Sequence, residues 1–366
     1  MFIFKIILGI ILSILASFYF YFFFKKLLTT FSVKFSKNIQ AICLIFTIFL
    51  GCGCLNYVSF SAIMVYHFVM FSLFVYALFK IIKLIFKHKN TQILNKIICT
   101  GIIPLLLTVG VLSYGYVNIN TVYEKSYTVE SEKLTNNYKF LLLSDLHFGT
   151  VQKTSVLKNS IEKFNQLKLD FVVLDGDIID EFSTKQDMVL VFETFSKINT
   201  NYGIYYVFGN HDRQQKTKHH YFSESDIINE LNKNDIIILS DSKVKINNDI
   251  VLIGREDEEF NSKNRKEIST MIETQDDSNF ILVADHQPIE LNKNAKAGVD
   301  LQISGHTHAF QVWPLGELLN SIGFYTYGKY KVDNTTLIVT SGFAGWGFPN
   351  RTEKHCEYVV VNLTKK

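Results

Sequence analysis

The sequence predicts an α/β domain behind an N-terminal bundle of about four transmembrane helices, and three observations predict it. Charge is split: residues 1–117 hold ten lysines with no arginine and no acidic residue, whereas the rest has 27 basic and 34 acidic residues. Long uncharged apolar runs fill the first stretch. From about residue 138 the pattern changes to short apolar runs, each closed by Asp, Asn, His or Gly, alternating with stretches of helical periodicity. At 366 residues the chain is long enough for two domains. The expected division is 1–117 transmembrane, 118–137 linker and 138–366 soluble domain.

The membrane part is read from run lengths. A bilayer core takes about 20 helical residues. Residues 6–24 and 97–117 each make one uncharged run of that order, and residues 39–79 make a run twice as long, read as two helices turning near 51–56. Lys25 and Lys26 follow the first run without a small-residue cleavage site, which points to an anchor rather than a removed signal peptide. Lys25, Lys26, Lys34 and Lys37 follow the first helix, and Lys80, Lys83, Lys87, Lys89 and Lys96 separate the third from the fourth. The turn between the second and third has no lysine. The positive-inside rule then places both basic loops in the cytoplasm and the soluble domain outside; three or five helices would reverse that. Cys43, Cys52, Cys54 and Cys99 lie in apolar runs and Cys356 stands alone in the polar part, so no disulfide is expected within the soluble domain.

In the soluble part, YKFLLLSDLH, LDFVVLDGD, GIYYVFGNHD, FILVADHQP and VDLQISGHTH share one grammar. Four to six β-prone residues are followed at once by polar, ligand-type side chains, and residues 154–167 and 186–198 between them have helical spacing. Polar residues gathered at strand ends are where α/β sheets build their sites. Singly, Asp145, Asp177 or Asn210 would serve as a helix cap or turn residue. Together the five ends offer Asp145, Asp177, Asp180, Asn210, His147, His211, His286, His306 and His308. Nitrogen and oxygen donors without thiolate suit zinc, manganese or iron. The set is too large for one tetrahedral ion and about right for two sharing a carboxylate. His306 and His308, two apart on an extended backbone, are expected to point the same way.

The series Asp-Leu-His (145–147), Gly-Asp-Ile-Ile-Asp (176–180), Gly-Asn-His-Asp (209–212), His286 and Gly-His-Thr-His (305–308) resembles the calcineurin-like metallophosphoesterases, in family order and over roughly 138–366. The tail SGFAGWGFPNR is similar to the membrane-associated bacterial branch. The resemblance implies a two-sheet β-sandwich flanked by helices, and a binuclear centre that hydrolyses a phosphodiester or phosphomonoester by metal-activated hydroxide. It implies Asp145, His147 and His308 for one ion, and Asn210, His286 and His306 for the other, with Asp177 bridging. His211 would face the leaving group, oriented by Asp180. Two cations about 3.5–4 Å apart activate water and clamp phosphoryl oxygens.

The chain departs from family patterns in places. Glu181 stands where the serine/threonine phosphatases have arginine, which counts against a phosphoprotein substrate. Ala309-Phe310 replaces the Gly-Gly that commonly follows the last histidine. Of only four arginines, Arg351 is the candidate to contact substrate phosphate, beside Asn210. Asp212 reads as structural, and His219 and His220 as solvated. The implied substrate is a small or lipid-linked phosphoester at the membrane, with nucleic acid disfavoured by the −7 balance of the soluble part. A cytoplasm-facing nucleotide-lipid pyrophosphatase is the alternative enzyme. A non-catalytic membrane receptor or scaffold is the alternative of another class, and the complete ligand set argues against it.

Overall fold

The computed structural model describes residues 2–86, 92–150, 154–273, 276 and 278–366. They form two compact units, Met1–Tyr116 and Val117–Lys366.

The first unit is helical: α1 (Phe2–Thr30), α2 (Lys37–Cys52), α3 (Phe60–Phe86), α4 (Gln92–Thr100) and α5 (Ile102–Ile119). Among the described residues, three segments are long and apolar enough to cross a membrane: Ile6–Thr30, Phe60–Ile85 and Ile102–Ile119. Of the helices in the four expected crossings, α2 is the one that falls short of crossing length. Its 16 residues span about 24 Å at 1.5 Å per residue, less than the roughly 30 Å of a hydrocarbon core. The four expected segments therefore all form as helices, and three of them have crossing length. Gly101, at φ 72°, separates α4 from α5 inside the last expected span. Lys87 and Lys89, two of the lysines behind the expected orientation, lie outside the described residues.

The second unit carries the remaining elements. In chain order these are β1 (Val122–Ser131), β2 (Tyr138–Leu143), α6 (Thr154–Gln166), β3 (Phe171–Asp175), α7 (Lys185–Phe195), β4 (Ile204–Val207), α8 (Glu224–Lys233) and β5 (Ile236–Ile238). There follow β6 (Ser242–Ile246), β7 (Ile250–Gly254), α9 (Glu258–Asn261), β8 (Phe280–Ala284), α10 (Leu291–Lys296) and β9 (Leu301–Ser304). The chain closes with α11 (Leu315–Ser321), β10 (Gly328–Val332), β11 (Thr335–Val339) and β12 (Cys356–Lys365). They make two six-stranded sheets, ordered β1-β12-β2-β3-β4-β5 and β10-β11-β9-β8-β7-β6. The central strands of each run parallel: β2 to β5 in one, β7 to β9 with β11 in the other.

Side chains alternate across each strand, and both faces are covered. Phe140, Leu142, Phe171 and Val173 meet Leu252, Leu282, Leu301 and Ile303 of the second sheet in one core. Their neighbours Leu141, Leu143, Val172 and Leu174 turn the other way, onto Leu157, Phe164, Phe192 and Leu231 of α6, α7 and α8. Burial on two faces is why these strands read as unbroken apolar runs. Thr184 and Ser223 start α7 and α8 with full capping boxes. Residues 118–137, expected as a linker, contain β1, which pairs in parallel with β12 from Val122↔Cys356 to Ser131↔Lys365. An exposed edge strand of alternating polar residues carries little hydrophobic signal, so the sequence did not reveal it.

Candidate metal centre

Both sheets aim the carboxyl ends of their parallel strands at one place. Asp145 stands two residues beyond β2, Asp177 two beyond β3, His286 two beyond β8 and His306 two beyond β9. There two groups of metal-ligating side chains form: Asp145, His147 and His308, and Asp177, His286 and His306. Within each group the ligand-type atoms lie within 4.8 Å of one another. The groups adjoin at Asp177, whose Oδ2 is 3.1 Å from His286 Nε2 and 3.8 Å from His147 Nε2. Asn210 Oδ1 lies 3.0 Å from His306 Nδ1, on the second group.

His306 and His308 go to different groups, but not from an extended backbone. They take φ 69° and 49°, and the left-handed run continues through Ala309, Phe310 and Gln311. That turn spreads two imidazoles which a strand would have kept side by side. Asp145, His147 and Asp177 also have positive φ. Such conformations cost about 1–3 kcal/mol each in a non-glycine residue and concentrate at functional sites. Cross-bracing holds them. Asp145 accepts the His306 N–H at 3.0 Å, and Asp177 Oδ1 accepts the His211 N–H at 2.9 Å. Asp212, buried, accepts from the backbone of Gly209, Asp177, Ile178 and Ile179, so it is the structural residue expected. Gly305 has to be glycine, because a Cβ there would lie 2.4 Å from Asp145 Oδ2.

Two of the ligand histidines have their outer nitrogen on a backbone carbonyl. His286 Nδ1 is 2.7 Å from the Asp175 carbonyl and His308 Nδ1 is 3.2 Å from the Ala344 carbonyl, whereas His147 Nδ1 has a carboxylate, Asp180 Oδ2, at 3.5 Å without a hydrogen bond. Donating Nδ1–H outward leaves the Nε2 lone pairs of His286 and His308 facing inward, the arrangement that metal-binding histidines show. His286 Nε2 is buried without a hydrogen-bond partner, and the Nε2 atoms of His147 and His308 lie 3.2 Å apart. Two divalent ions fit this donor set.

Burial opposes ionisation of Asp177, but the imidazoles of His286 and His211 outweigh it and hold its carboxyl well below the usual range. His286 moves the other way. Burial pushes it down, and the Asp177 charge with their contact carries it well above an ordinary imidazole. Burial and His286 press His306 down to about 3, and burial with His147 and Arg351 holds His308 well below normal. Two of the four imidazoles are thus kept in the neutral form that metal binding requires.

Two expected roles need correction. His211 Nδ1 pairs with Glu181 Oε2 at 2.6 Å, not with Asp180. Asp180 turns inward instead, accepting from Thr150 Oγ1 at 2.7 Å and from the Phe182 N–H at 2.8 Å beside His147. The turn after β3 sends consecutive side chains apart, so the residue next along meets His211. A second carboxylate directly after Asp180 was the signal the sequence held for it. Arg351, expected at the substrate phosphate, is buried behind the site. Its guanidinium donates to the carbonyls of His308, Ser341, Ala344 and His355 at 2.9–3.2 Å, which leaves it a scaffold for the His308 turn. Asn210 stays at the centre, and His219 and His220 are exposed as expected.

Residues 138–310 match the family model described as calcineurin-like phosphoesterase. An uncharacterized metallophosphoesterase of Helicobacter pylori strain J99 is 30% identical over 241 residues, covering 64% of this chain and 62% of the relative. The chain thus spans less than two thirds of that relative's length. Another from H. pylori strain 26695 is 28% identical over 312 residues, 82% of this chain and 80% of the relative. A transmembrane protein with metallophosphoesterase domain from Danio rerio is 26% identical over 348 residues, 89% of this chain and 77% of the relative. Strand-end motifs, two adjoining ligand groups and these relatives agree: the chain carries a calcineurin-like metallophosphoesterase domain, shared with bacterial metallophosphoesterases and with eukaryotic transmembrane proteins.

Proposed function

We propose that the chain is a membrane-anchored, metal-dependent phosphoesterase that hydrolyses a lipid-linked phosphoester at the outer membrane surface. The observation that carries this reading is the meeting of two ligand groups at Asp177, with His211 beside them. Bound there, two divalent ions of the zinc, manganese or iron class supply Lewis acidity to a phosphoryl oxygen and a nucleophile at neutral pH. The chain's own residues do the rest. Asp177 holds the two groups together, and Asp145 and Asn210 complete them on either side. His211, its Nδ1 held by Glu181, presents Nε2 to the departing oxygen as proton donor.

An apolar surface supports the lipid-linked substrate. Phe310, Trp313, Leu318, Ile322 and Phe324 are exposed, Ile322 at 71%, on the segment that starts at His308. Five exposed apolar side chains within fifteen residues supply the kind of side chain that contacts lipid. The lysine distribution supports four crossings, α2 being the short one, with the domain outside.

The central test is chelation of purified full-length protein and assay with bis-p-nitrophenyl phosphate. Turnover is expected to vanish and to return with manganese; full turnover by metal-free protein would overturn the reading. For orientation, a secreted alkaline phosphatase fused after Lys366 is expected to be active. Activity of a cytoplasm-only reporter there would overturn the outward placement.

A further inference from the structure

We propose that Lys216 is the cation that binds the substrate's phosphoryl group, an inference that rests on the phosphoesterase reading above. A phosphoester carries negative charge on its non-bridging oxygens, and sites that bind it commonly add a fixed cation to the metals. The arginines, the usual choice for that task, are all committed elsewhere. Arg213 lies between the rings of Phe208 and Phe260 and pairs with Glu256 and Glu224. Arg255 faces Asp241 and Glu290, Arg265 pairs with Asp285, and Arg351 is spent on carbonyls.

Lys216 is differently placed. Its Nζ lies 3.4 Å from His211 Nε2, and its side chain is 31% exposed. In the resting site, with Nδ1–H given to Glu181, the Nε2 lone pair accepts from the ammonium; once a phosphoryl oxygen takes the ammonium over, Nε2 is free to take up the proton that it gives to the leaving oxygen. The cation therefore rests on the atom that faces the leaving oxygen, where a phosphoryl oxygen takes it over. A second partner, Glu259 Oε2 at 3.2 Å, holds it only at the surface.

The supporting loop is firmly built. Gln214, buried, donates to the carbonyls of Asp180 and Ser183 at 2.8 and 2.9 Å and accepts the Tyr221 N–H at 2.8 Å. Both ends of the 215–220 turn are so tied to the strand-end turn that carries Glu181. On the other side of His211, the Trp346 ring stands with its centroid 5.5 Å away. Lys216 and Trp346 thus flank the imidazole, one cationic and one flat and apolar.

The test uses full-length protein loaded with manganese and inorganic phosphate as the probe. Phosphate binding is measured by calorimetry and, separately, as competitive inhibition of bis-p-nitrophenyl phosphate hydrolysis. Lys216→Ala is expected to weaken phosphate binding about tenfold or more, the loss of one charge-assisted hydrogen bond, with metal content unchanged. Lys216→Arg is expected to restore most of it, and Lys218→Ala, on the same exposed turn, to change nothing. Equal phosphate affinity in Lys216→Ala and wild type would overturn the proposal, as would an equal loss in Lys218→Ala. Wild-type protein without metal-dependent turnover would overturn the function proposed above instead, and the calorimetry would still decide the role of Lys216.

Discussion

The site has a floor and a rim, and they are built differently. The floor, made of Asp145, His147, Asp177 and His286, is almost fully buried and anchored at the ends of strands from both sheets. The rim, made of Glu181, His211, Lys216 and Trp346, comes from the turns after β3 and β4 and from the stretch between β11 and β12. Floor residues are held by backbone bonds within the protein core, so their geometry is common to any substrate. Rim residues meet each other mostly through side chains, so they are free to differ with the substrate. The difference predicts two kinds of variant: floor changes that abolish turnover of every ester, and changes at Glu181 and His211 of the rim that choose among esters.

The largest expected effect is on the floor. Asp177→Asn changes the carboxylate whose oxygen approaches histidines of both ligand groups, so metal content should fall for both ions. Turnover should drop beyond the roughly 10–100-fold that outer partners of metal ligands cost, equally for alkyl and nitrophenyl esters. Metal analysis with kinetics on two substrates checks it. Retention of both ions would separate Asp177 from the floor.

His211→Ala comes next and belongs to the rim. Nitrophenolate leaves readily as an anion, whereas an alkoxide needs a proton. Loss of the proton donor should cut alkyl-ester turnover by about 10²–10⁴-fold and leave nitrophenyl esters far less affected, with metals retained. An equal loss on both substrates would assign His211 to phosphate binding instead of proton donation.

This division also explains what was legible in the sequence. Asp145, His147, Asp177, His286, His306 and His308 each follow a short apolar run, and strand ends are spaced by backbone geometry that a sequence displays. Parallel strands buried on both faces predicted the α/β class for the same reason. The rim is legible only in part, because a turn decides which of two neighbours faces inward. Asp180 and Glu181 are both carboxylates, and only the folded turn turns Glu181 to His211. Lys216 lay in a polar loop whose composition says solvent, and its contact with His211 depends on Gln214 tying that loop down. Arg351 was misread for the opposite reason. A lone arginine after a glycine-rich stretch suggests a phosphate contact, but four carbonyls took the guanidinium.

Asp180→Asn sharpens the boundary between floor and rim. Asp180 is a rim neighbour by sequence yet approaches His147 Nδ1, on the floor. Its neutralisation should lower metal affinity by about 10–100-fold, as loss of a histidine's outer carboxylate does, with no preference between ester types. Excess manganese should restore turnover. A selective loss of alkyl-ester hydrolysis at full metal occupancy would move Asp180 back to the rim.

The smallest expected effect, Glu181→Gln, discriminates most finely. Glutamine keeps an oxygen within reach of His211 Nδ1, so the ring stays oriented. What disappears is the charge that strengthens the 2.6 Å contact. Hydrogen bonds to a charged partner contribute about 1.5–3 kcal/mol against about 0.5–1.5 for neutral ones. The difference, about 1–1.5 kcal/mol, corresponds to roughly tenfold in rate. That loss should fall on alkyl esters, where His211 must stand as an imidazolium to give up its proton, and hardly at all on nitrophenyl esters. Metal content should match wild type, the reverse of the pattern for Asp180→Asn. The pair of variants therefore reads the turn after β3 directly, one residue at a time. If Glu181→Gln released metal while Asp180→Asn biased the leaving group, the two carboxylates would have exchanged places, and the rim would have to be redrawn around Asp180.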